Sequence, residues 1–390
     1  MPDFDVVVVG SGAAGLAAAL TAAELGASVL VAEAADVVGG SSRLSSGMLM
    51  GAGTTLQKAA GIDDTPEALY REYMQFNQWA VDAGLAHKLA VESGPTIEWL
   101  ADLGVQFHDT LSYGGEESRP RNHLPVEMGA GVVEVLRQAA VAAGVEIALR
   151  RRIDRLLVED GAVVGVAVGD DEVRAGAVVL ATGGFGANRE KLSRFYPSAL
   201  GDWTWYMGAD GAQGDAIDLG EQVGAQIAGH GRGLTFLTPN FVRQYEATLP
   251  GWLVLVNADG RRFCDETVAY GLLDRLVRLQ GGRVFVVFDE AARRAAPAGQ
   301  PAAYRQSNPS MPGRRSPNWN DEMVADMARE GRLATAGTIP ELAERLGLPP
   351  DVLAGTVRRY NRLVAAGDDR DFLKDSRFLR PIETPPFYGA

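Results

Sequence analysis

The chain has 390 residues, of which 46% are hydrophobic, so it is long enough to bury a large core and to form two domains. It carries 37 Lys and Arg against 50 Asp and Glu, and this net charge of −13 disfavours nucleic acids and anionic membranes as partners. Its single cysteine, Cys264, excludes an internal disulfide and a cysteine-rich zinc or iron–sulfur site, so we expect no metal and a separate electron acceptor. No signal pattern precedes the first apolar run, and we therefore expect a cytoplasmic protein.

The first 40 residues predict a nucleotide-binding βαβ unit. A short apolar run from residue 5 leads into Gly10-Ser-Gly12-Ala-Ala-Gly15, then into an Ala-rich helical stretch and a second apolar run that ends at Glu33. In such a unit the three glycines allow a tight turn, a close approach of pyrophosphate, and close packing of helix on strand. Glu33 is then placed to hold ribose hydroxyls. A glycine turn in an ordinary α/β protein is the alternative, which the complete strand–helix–strand–acid pattern disfavours.

Two later segments favour FAD over NAD. Residues 39–42, Gly-Gly-Ser-Ser, offer backbone N–H groups and hydroxyls to the flavin side of the pyrophosphate. Residues 178–185 form a buried-type strand that ends in a glycine pair, and Asp215 lies in a glycine-rich turn before a helix. The predicted FAD-binding residues are Gly10, Ser11, Gly12, Ala14, Gly15, Glu33, Gly40, Ser41, Ser42, Ala181, Thr182, Gly183 and Asp215.

Between these segments the sequence predicts helices and a small antiparallel insertion. Residues 65–86, 90–103 and 131–144 have helical patterns, whereas residues 112–123 have the polar composition of a loop. Residues 145–168 predict strands that turn at an Asp-Gly pair, which indicates a β-meander inserted in the nucleotide fold.

The sequence changes character near residue 225. We expect an FAD-binding domain over 1–224, a smaller capping domain over 225–380, and a return toward the first domain over 381–390. Strands are predicted at 253–257 and 284–288. Residues 302–319 are rich in Pro, Ser, Asn and Arg, a composition typical of a surface loop, which we interpret as a candidate lid.

With these motifs in place, the chain resembles the flavoprotein family of fumarate reductases, succinate dehydrogenase flavoprotein subunits and 3-ketosteroid dehydrogenases. The resemblance runs from Val6 to Tyr388 and includes, beyond the motifs above, Asn188, the Asn257-Ala-Asp-Gly-Arg-Arg-Phe263 segment and the closing Pro385-Pro-Phe-Tyr388. It implies an α/β fold, with a Rossmann-like FAD-binding domain that carries a β-meander and a smaller α+β capping domain. It also implies hydride transfer between flavin N5 and a carbon next to an activating carbonyl or carboxylate.

Departures from the fumarate reductase pattern bear on the substrate. Where those enzymes have a Gln-x-His-Pro-Thr segment, this chain reads Gly-Leu-Thr-Phe-Leu-Thr-Pro over 233–239. Two functional arginines of that pattern fall on Tyr270 and Leu249, although a glutamate partner has a counterpart in Glu246. A dicarboxylate substrate therefore loses support.

The 3-ketosteroid dehydrogenase pattern has a tyrosine at the position of Tyr270. The resemblance implies that Tyr270 is the base that removes a proton beside a ketone, assisted by Tyr113 in the 112–123 loop. Arg119, Arg121 and His123 are candidates for oxyanion stabilisation, for cofactor contact or for a solvated face. The alternative for Tyr270 is a tyrosine that caps an apolar patch.

The predicted function is thus an FAD-dependent dehydrogenase of CH–CH bonds, 3-ketosteroid dehydrogenase-like, which would place the chain in steroid metabolism. Two alternatives stay open: a fumarate reductase-like ene-reductase of an unsaturated acid, and a flavin-binding subunit that is inactive alone. The last arises because family members continue past the Pro-Pro-Phe-Tyr segment, whereas this sequence ends at Ala390, so a second subunit is a possible partner. Ser41-Ser42-Arg43 lacks the histidine that tethers flavin in succinate dehydrogenases, and we expect non-covalent FAD.

Overall fold

The structure is a computed structural model that describes residues 2–113, 117–201, 204–229, 231, 233, 235, 237, 249–268, 270–295 and 321–390. Contacts between Cα atoms divide the chain into two compact units. Unit 1 comprises Met1–Leu111 and Asn122–Gly233, and unit 2 comprises Ser112–Arg121 and Leu234–Ala390. The candidate lid over 302–319 lies outside the described residues. The domain boundaries given above stay predictions.

Unit 1 alternates strands and helices through its first half and then forms a run of consecutive strands. Its strands are β1 (Phe4–Val9), β2 (Val29–Ala32), β3 (Leu49–Met50), β4 (Asn122–His123), β5 (Glu146–Ala148), β6 (Arg155–Glu159), β7 (Ala162–Val168) and β8 (Asp171–Leu180). Its helices are α1 (Ala13–Glu24), α2 (Gly40–Leu44), α3 (Thr55–Ala59), α4 (Pro66–Phe76), α5 (Ala83–Asp102), α6 (Met128–Ala142), α7 (Arg189–Phe195) and α8 (Asp215–Gln222).

The main sheet of unit 1 has six strands in the order β5-β2-β1-β8-β7-β6. Strand β1 lies parallel to both β2 and β8, with Val8 opposite Val31 and Val179. Because a central parallel strand is covered on both faces, it needs apolar residues at every position, and the valine run of β1 meets this need with Val7 and Val8 fully buried. Strands β6, β7 and β8 are consecutive and antiparallel. The predicted Rossmann-like α/β domain with a β-meander is therefore confirmed.

The helices of unit 1 depart from the predicted bounds around residue 80. One helix was expected over 65–86, but α4 ends at Phe76 and α5 begins at Ala83. Two residues between them, Gln78 and Trp79, have positive φ angles, which a helix cannot contain. Asp82 then caps α5 by accepting a hydrogen bond from the backbone N–H of Leu85. The apolar periodicity continues through this break, so periodicity alone could not reveal it.

Unit 2 contains a four-stranded antiparallel sheet and several helices. Its strands are β9 (Val254–Val256), β10 (Phe285–Asp289), β11 (Ala334–Ala336) and β12 (Phe387–Gly389), in the order β11-β12-β10-β9. Its helices are α9 (Tyr270–Leu279), α10 (Glu290–Arg294), α11 (Asp321–Arg329), α12 (Ile339–Leu346) and α13 (Pro350–Ala366). This is the α+β composition that was predicted for the second domain. Across the described part of both units, no helix has the length and apolarity of a membrane span.

Alternating side chains of unit 2 build an apolar cluster on each face of the sheet. Leu255 and Phe288 belong to one cluster, whereas Val256 and Val287 belong to the other. Successive side chains of an extended strand point to opposite faces of the sheet, which explains this alternation. Cys264 lies in the first cluster, where burial raises the pKa of its thiol to about 12. The thiol is therefore a small apolar group rather than a nucleophile.

Four charged side chains are buried together in unit 2, and one of them, Arg262, comes from the Asn257–Phe263 segment. Arg262 donates to Glu266 and to Asp369, and Lys374 Nζ lies 3.0 Å from a Glu266 oxygen. Lys374 also donates to the backbone carbonyl of Leu253 at 2.8 Å, which ties the cluster to the residue before β9. Burial opposes ionisation of Glu266, but Lys374 and Arg262 outweigh it and hold the pKa of that carboxyl below its usual range.

We expect Glu266→Gln to destabilise unit 2 by about 3–5 kcal/mol, because it leaves two buried cations facing one carboxylate. The pKa of Glu266 is lower in the folded protein than in the unfolded chain. Its contribution to the free energy of unfolding is therefore fully present above the unfolded-state pKa and is lost as the pH falls through the folded-state pKa. Urea unfolding of wild type and variant at pH 7 and in acid measures this difference. Glu159→Gln, which removes a surface ion pair with Arg174, is the control and should unfold like wild type. Equal midpoints for Glu266→Gln and wild type would contradict the expectation.

Candidate cofactor site

The turn between β1 and α1 uses its three glycines for different physical reasons. Gly10 has a φ of +104°, and a methyl group on it would lie 2.5 Å from the carbonyl oxygen of Ala181. A methyl group on Gly15 would lie 1.9 Å from the carbonyl oxygen of Gly10, so helix and strand touch there. Gly12 has an ordinary φ of −65°, and a methyl group would meet nothing closer than the Ser42 hydroxyl at 3.5 Å. The fold therefore requires glycine at the first and third positions, and only an approaching ligand requires it at the second.

Ser11 joins three segments of the site through its backbone and its hydroxyl. The backbone N–H of Ser11 donates to Glu33 Oε2 at 3.0 Å, and the hydroxyl donates to the same oxygen at 2.5 Å. The hydroxyl in turn accepts from the backbone N–H of Gly39 at 3.1 Å. Ser11 is fully buried. It is therefore placed to position Glu33 rather than to contact a ligand through its side chain.

Glu33 is held from both sides at the end of β2. Its other oxygen, Oε1, accepts from the backbone N–H of Ala35 at 2.8 Å, and the side chain belongs to a residue that is only 8% exposed. A carboxylate of one fixed orientation suits the recognition of a pair of ribose hydroxyls, since each oxygen retains acceptor capacity.

The two serines at the start of α2, Ser41 and Ser42, contact segments other than Glu33. Ser42 Oγ accepts from the backbone N–H of Ala13, in the first turn of α1, at 3.2 Å. Ser41 Oγ accepts from the backbone N–H of Ala209 at 3.0 Å. A methyl group on Gly40 would meet nothing within 4 Å. The open surface between Gly12 and α2 is thus bordered by hydroxyls and by the N-terminus of a helix, which together suit a pyrophosphate.

The end of β8 supplies a second open backbone surface. Ala181 donates its backbone N–H to the carbonyl of Val9 at 2.8 Å and so continues the pairing with β1. Thr182 Oγ1 accepts from the backbone N–H of Ala216 at the start of α8. Gly183 has a φ of +76°, and a methyl group placed on Gly183 or on Gly184 would meet no other atom within 4 Å.

Asp215 meets a partner that the sequence did not suggest. Its carboxylate accepts from Arg152 at 2.7 Å, and the side chain of Asp215 is 17% exposed. Arg152 follows β5, the neighbour of β2, so the pair joins the sheet edge to the first turn of α8. Long-range pairs of this kind, 63 residues apart in the chain, leave no local sequence signal.

Within unit 1, hydrogen bonds connect several of the predicted cofactor residues: Ser11 to Glu33, Ser42 to the first turn of α1, and Thr182 to the start of α8. Tyr113 and Tyr270 both belong to unit 2. Tyr113 is half-buried, and Tyr270 is the first residue of α9. Their catalytic roles stay predictions.

The polar 112–123 segment is less open than its composition indicated. Its last two residues form β4, which pairs with β3, and His123 is fully buried there. His123 Nε2 lies 2.8 Å from the Thr54 hydroxyl, and Nδ1 lies 3.3 Å from the carbonyl oxygen of Leu49. Arg121 is only 1% exposed. The interpretation of Arg121 and His123 as a solvated face is wrong, and the imidazole is engaged within unit 1.

The site fits a dinucleotide with a flavin end on physical grounds. The backbone is open to a ligand at three glycines, Gly12, Gly40 and Gly183, where any other residue would place a Cβ in the free space. Glu33 would hold a ribose, and the N-terminus of α1 with Ser42 would hold the pyrophosphate. Among the residues that the structure describes, no three His, Cys, Asp or Glu side chains come together as a metal site would require.

Comparisons with known proteins agree with this assignment. Residues 5–390 match the model of the FAD binding domain family. The chain is 31% identical over 384 residues to a fumarate reductase (cytochrome) of Shewanella frigidimarina, covering 94% of this chain and 62% of the relative. It is 30% identical over 421 residues to a vinyl phenol reductase of Lactiplantibacillus plantarum, covering 99% and 82%.

Among solved structures, the chain resembles a 3-ketosteroid-Δ4-(5α)-dehydrogenase of Rhodococcus jostii RHA1 in complex with 4-androstene-3,17-dione. The TM-score is 0.77 at 28% identity, with 99% of this chain and 82% of that chain covered. By contrast, the chain spans 62% and 59% of the length of the two Shewanella fumarate reductases that it matches.

We expect Ser11→Ala to weaken FAD binding roughly 10- to 100-fold without unfolding the protein, because it removes a hydrogen bond to a charged group that orients Glu33. FAD titration of the flavin-free protein, followed by flavin fluorescence, gives the dissociation constant. Ser28→Ala is the matched control, since the Ser28 hydroxyl binds Asp5 on the exposed side of the same unit. An unchanged affinity in Ser11→Ala would show that Glu33 does not depend on Ser11.

Proposed function

The chain belongs to the FAD binding domain family, and on this premise we propose that it is an FAD-dependent oxidoreductase that acts on a CH–CH bond next to a carbonyl. The observation that carries the proposal is the cofactor site of unit 1, in which Ser11, Glu33 and Gly39 form one hydrogen-bonded junction beside open glycine surfaces. The relatives are named as reductases or dehydrogenases, which agrees with redox chemistry.

We favour a 3-ketosteroid or a similar ketone as the substrate. The 3-ketosteroid-Δ4-(5α)-dehydrogenase covers nearly the whole chain at a TM-score of 0.77. A fumarate reductase-like proton path would need a cation at the position of Leu249, but this residue is buried in an apolar cluster of unit 2. Glu246, the other member of that path by resemblance, lies outside the described residues. A neutral, largely apolar substrate fits these facts better than a dicarboxylate.

The proposed chemistry divides between the cofactor and two tyrosines. Bound FAD supplies the hydride acceptor at N5. Tyr270, as a phenolate, would take the proton from the carbon beside the ketone and become a neutral phenol, while a hydride leaves the neighbouring carbon. Tyr113 would donate a hydrogen bond that stabilises the phenolate of Tyr270 before this step. A free phenol has a pKa of about 10, so the base needs stabilisation near neutrality.

A second candidate is the reverse type of reaction, reduction of an activated C=C bond. It is supported by the 31% identity to the fumarate reductase and the 30% identity to the vinyl phenol reductase. A hydroxyl at residue 270 would then donate the proton. The two candidates differ in which flavin state the substrate alters: a ketosteroid would bleach oxidised flavin, whereas an enoate or a vinyl phenol would restore the colour of reduced flavin.

We propose that the FAD is held without a covalent bond, because Ser41-Ser42-Arg43 lacks the histidine that tethers flavin in succinate dehydrogenases. The Ser41 hydroxyl accepts a hydrogen bond from the backbone N–H of Ala209, so it is engaged within the protein. Acid precipitation of the flavin-loaded protein should leave a colourless pellet and a yellow supernatant. A yellow pellet would show a covalent link.

Tyr270→Phe should lower kcat for a 3-ketosteroid roughly a hundredfold or more, while the bound flavin spectrum stays that of wild type, because only the proton acceptor is lost. Steady-state turnover with an artificial electron-accepting dye measures kcat. Tyr73→Phe, in α4 of unit 1, is the control and should turn over normally. Normal turnover by Tyr270→Phe would remove this tyrosine from the mechanism, and turnover of an enoate alone would favour the second candidate.

A further inference from the structure

The ring of Tyr206 is seated against two glycines of unit 1. A methyl group on Gly186 would lie 2.2 Å from Tyr206 Cε2, and one on Gly208 would lie 1.9 Å from the Tyr206 hydroxyl oxygen. Neither glycine has a positive φ angle, so the backbone does not demand glycine at either position. The absence of side chains at 186 and 208 therefore serves the placement of one aromatic ring.

Packing energy does not account for so closely fitted a ring. Tyr206 is 42% exposed, and its neighbours Trp205 and Met207 are 62% and 53% exposed. An aromatic side chain gains most of its stabilisation by leaving water, and this one leaves a large part of its surface open. A ring that is fixed on one side and open on the other presents a preorganised surface to a ligand.

The position of Tyr206 identifies which ligand. Its hydroxyl lies 3.4 Å from Ser41 Oγ, and Ser41 also binds the backbone of Ala209. Gly186 follows directly on the open Gly183–Gly184 surface after β8. Tyr206 is thus placed between the α2 serines and the end of β8, both of which border the cofactor site.

Contacts run along this site in a fixed order. Glu33 binds Ser11, the adjoining turn leads to α1 and its bond with Ser42, and the neighbouring Ser41 meets Tyr206. If Glu33 takes the adenosine ribose and the N-terminus of α1 takes the pyrophosphate, the end of the site at Tyr206 is left for the flavin half.

We infer that Tyr206 is a cofactor-binding residue whose open ring face contacts the flavin half of FAD. Gly186 and Gly208 lack the side chains that would occupy the position of this ring. The inference rests on the proposed function, since it requires that the chain binds FAD. A flat π-surface of this kind recognises the planar isoalloxazine by stacking or edge contact.

The experiment compares FAD binding and flavin fluorescence in wild type, Tyr206→Phe, Tyr206→Ala and Gly208→Ala. Trp79→Ala is the matched control, because Trp79 is an aromatic side chain of the same unit that is 60% exposed between α4 and α5. Circular dichroism and thermal melting verify that each variant is folded. FAD titration gives the dissociation constant, and time-resolved fluorescence gives the lifetime of the bound flavin.

We expect Tyr206→Phe to bind FAD within about twofold of wild type, and Tyr206→Ala and Gly208→Ala to bind it at least about tenfold more weakly. Gly208→Ala reaches the same result by a different route, because its methyl group displaces the ring without deleting it. The flavin lifetime should lengthen in Tyr206→Phe, since a phenol in contact with excited flavin quenches it by transferring an electron that then returns, and a phenyl ring does not.

Wild-type affinity in Tyr206→Ala together with a wild-type lifetime in Tyr206→Phe would overturn the inference and leave Tyr206 as an exposed surface residue. A wild-type chain that binds no FAD under the same conditions would overturn the proposed function itself, so the two failures are distinguishable. Weaker binding by Trp79→Ala to the same extent would also count against a specific role for Tyr206.

Discussion

The bond between Ser11 and Glu33 is the constraint on which the cofactor site depends. A carboxylate on a residue that is only 8% exposed is costly unless hydrogen bonds replace its hydration, and here both oxygens accept hydrogen bonds, from Ser11 and from Ala35. Because Ser11 also binds Gly39, the carboxylate fixes the β1–α1 turn, the end of β2 and the start of α2 in a single geometry. The site is therefore organised by the protein before a ligand arrives, and binding need not supply the ordering free energy.

Unit 2 has a corresponding constraint in its buried charges. Arg262 and Glu266 lie within a short segment that leads from β9 toward α9, and Lys374 reaches them from a region more than 100 residues later in the chain. Such a network is weak evidence for net stability, since apolar replacements often serve as well. Its geometric effect is clearer: four partners fix the path of the chain just before Tyr270.

Local sequence patterns predicted the parts of the fold that local interactions determine. The valine run, the three glycines and the acid at residue 33 specify a βαβ unit because turn, helix and parallel strand each have a short-range cause. The helix break after Phe76 was missed, because neither Gln78 nor Trp79 is a residue type that favours a positive φ angle. Backbone hydrogen bonds from these two residues to Gln75 and Met74 close the turn, and such bonds leave no side-chain signal in the sequence. The strand at Asn122–His123 was missed because its partner β3 lies more than 70 residues earlier.

The same distinction applies to the candidate site. The candidate FAD-binding residues of the first subsection were predicted from motifs, and the surroundings of Gly12 and Gly15 fit the separate roles expected of them, an open face at Gly12 and close packing at Gly15. The pairs Arg152–Asp215 and Ser41–Tyr206 connect segments 63 and 165 residues apart, which one sequence cannot reveal. The two glycines that pack against the Tyr206 ring gave no sequence signal, because Gly186 lies in a different segment of the chain.

The most direct measurement is the visible absorption spectrum of the purified chain, recorded anaerobically before and after addition of a 3-ketosteroid. We expect a flavin band that bleaches on addition, since electrons pass from the substrate to bound FAD. A band that persists with every ketone tested would contradict the substrate assignment, and a chain that shows no band after incubation with FAD would contradict the account of the cofactor site.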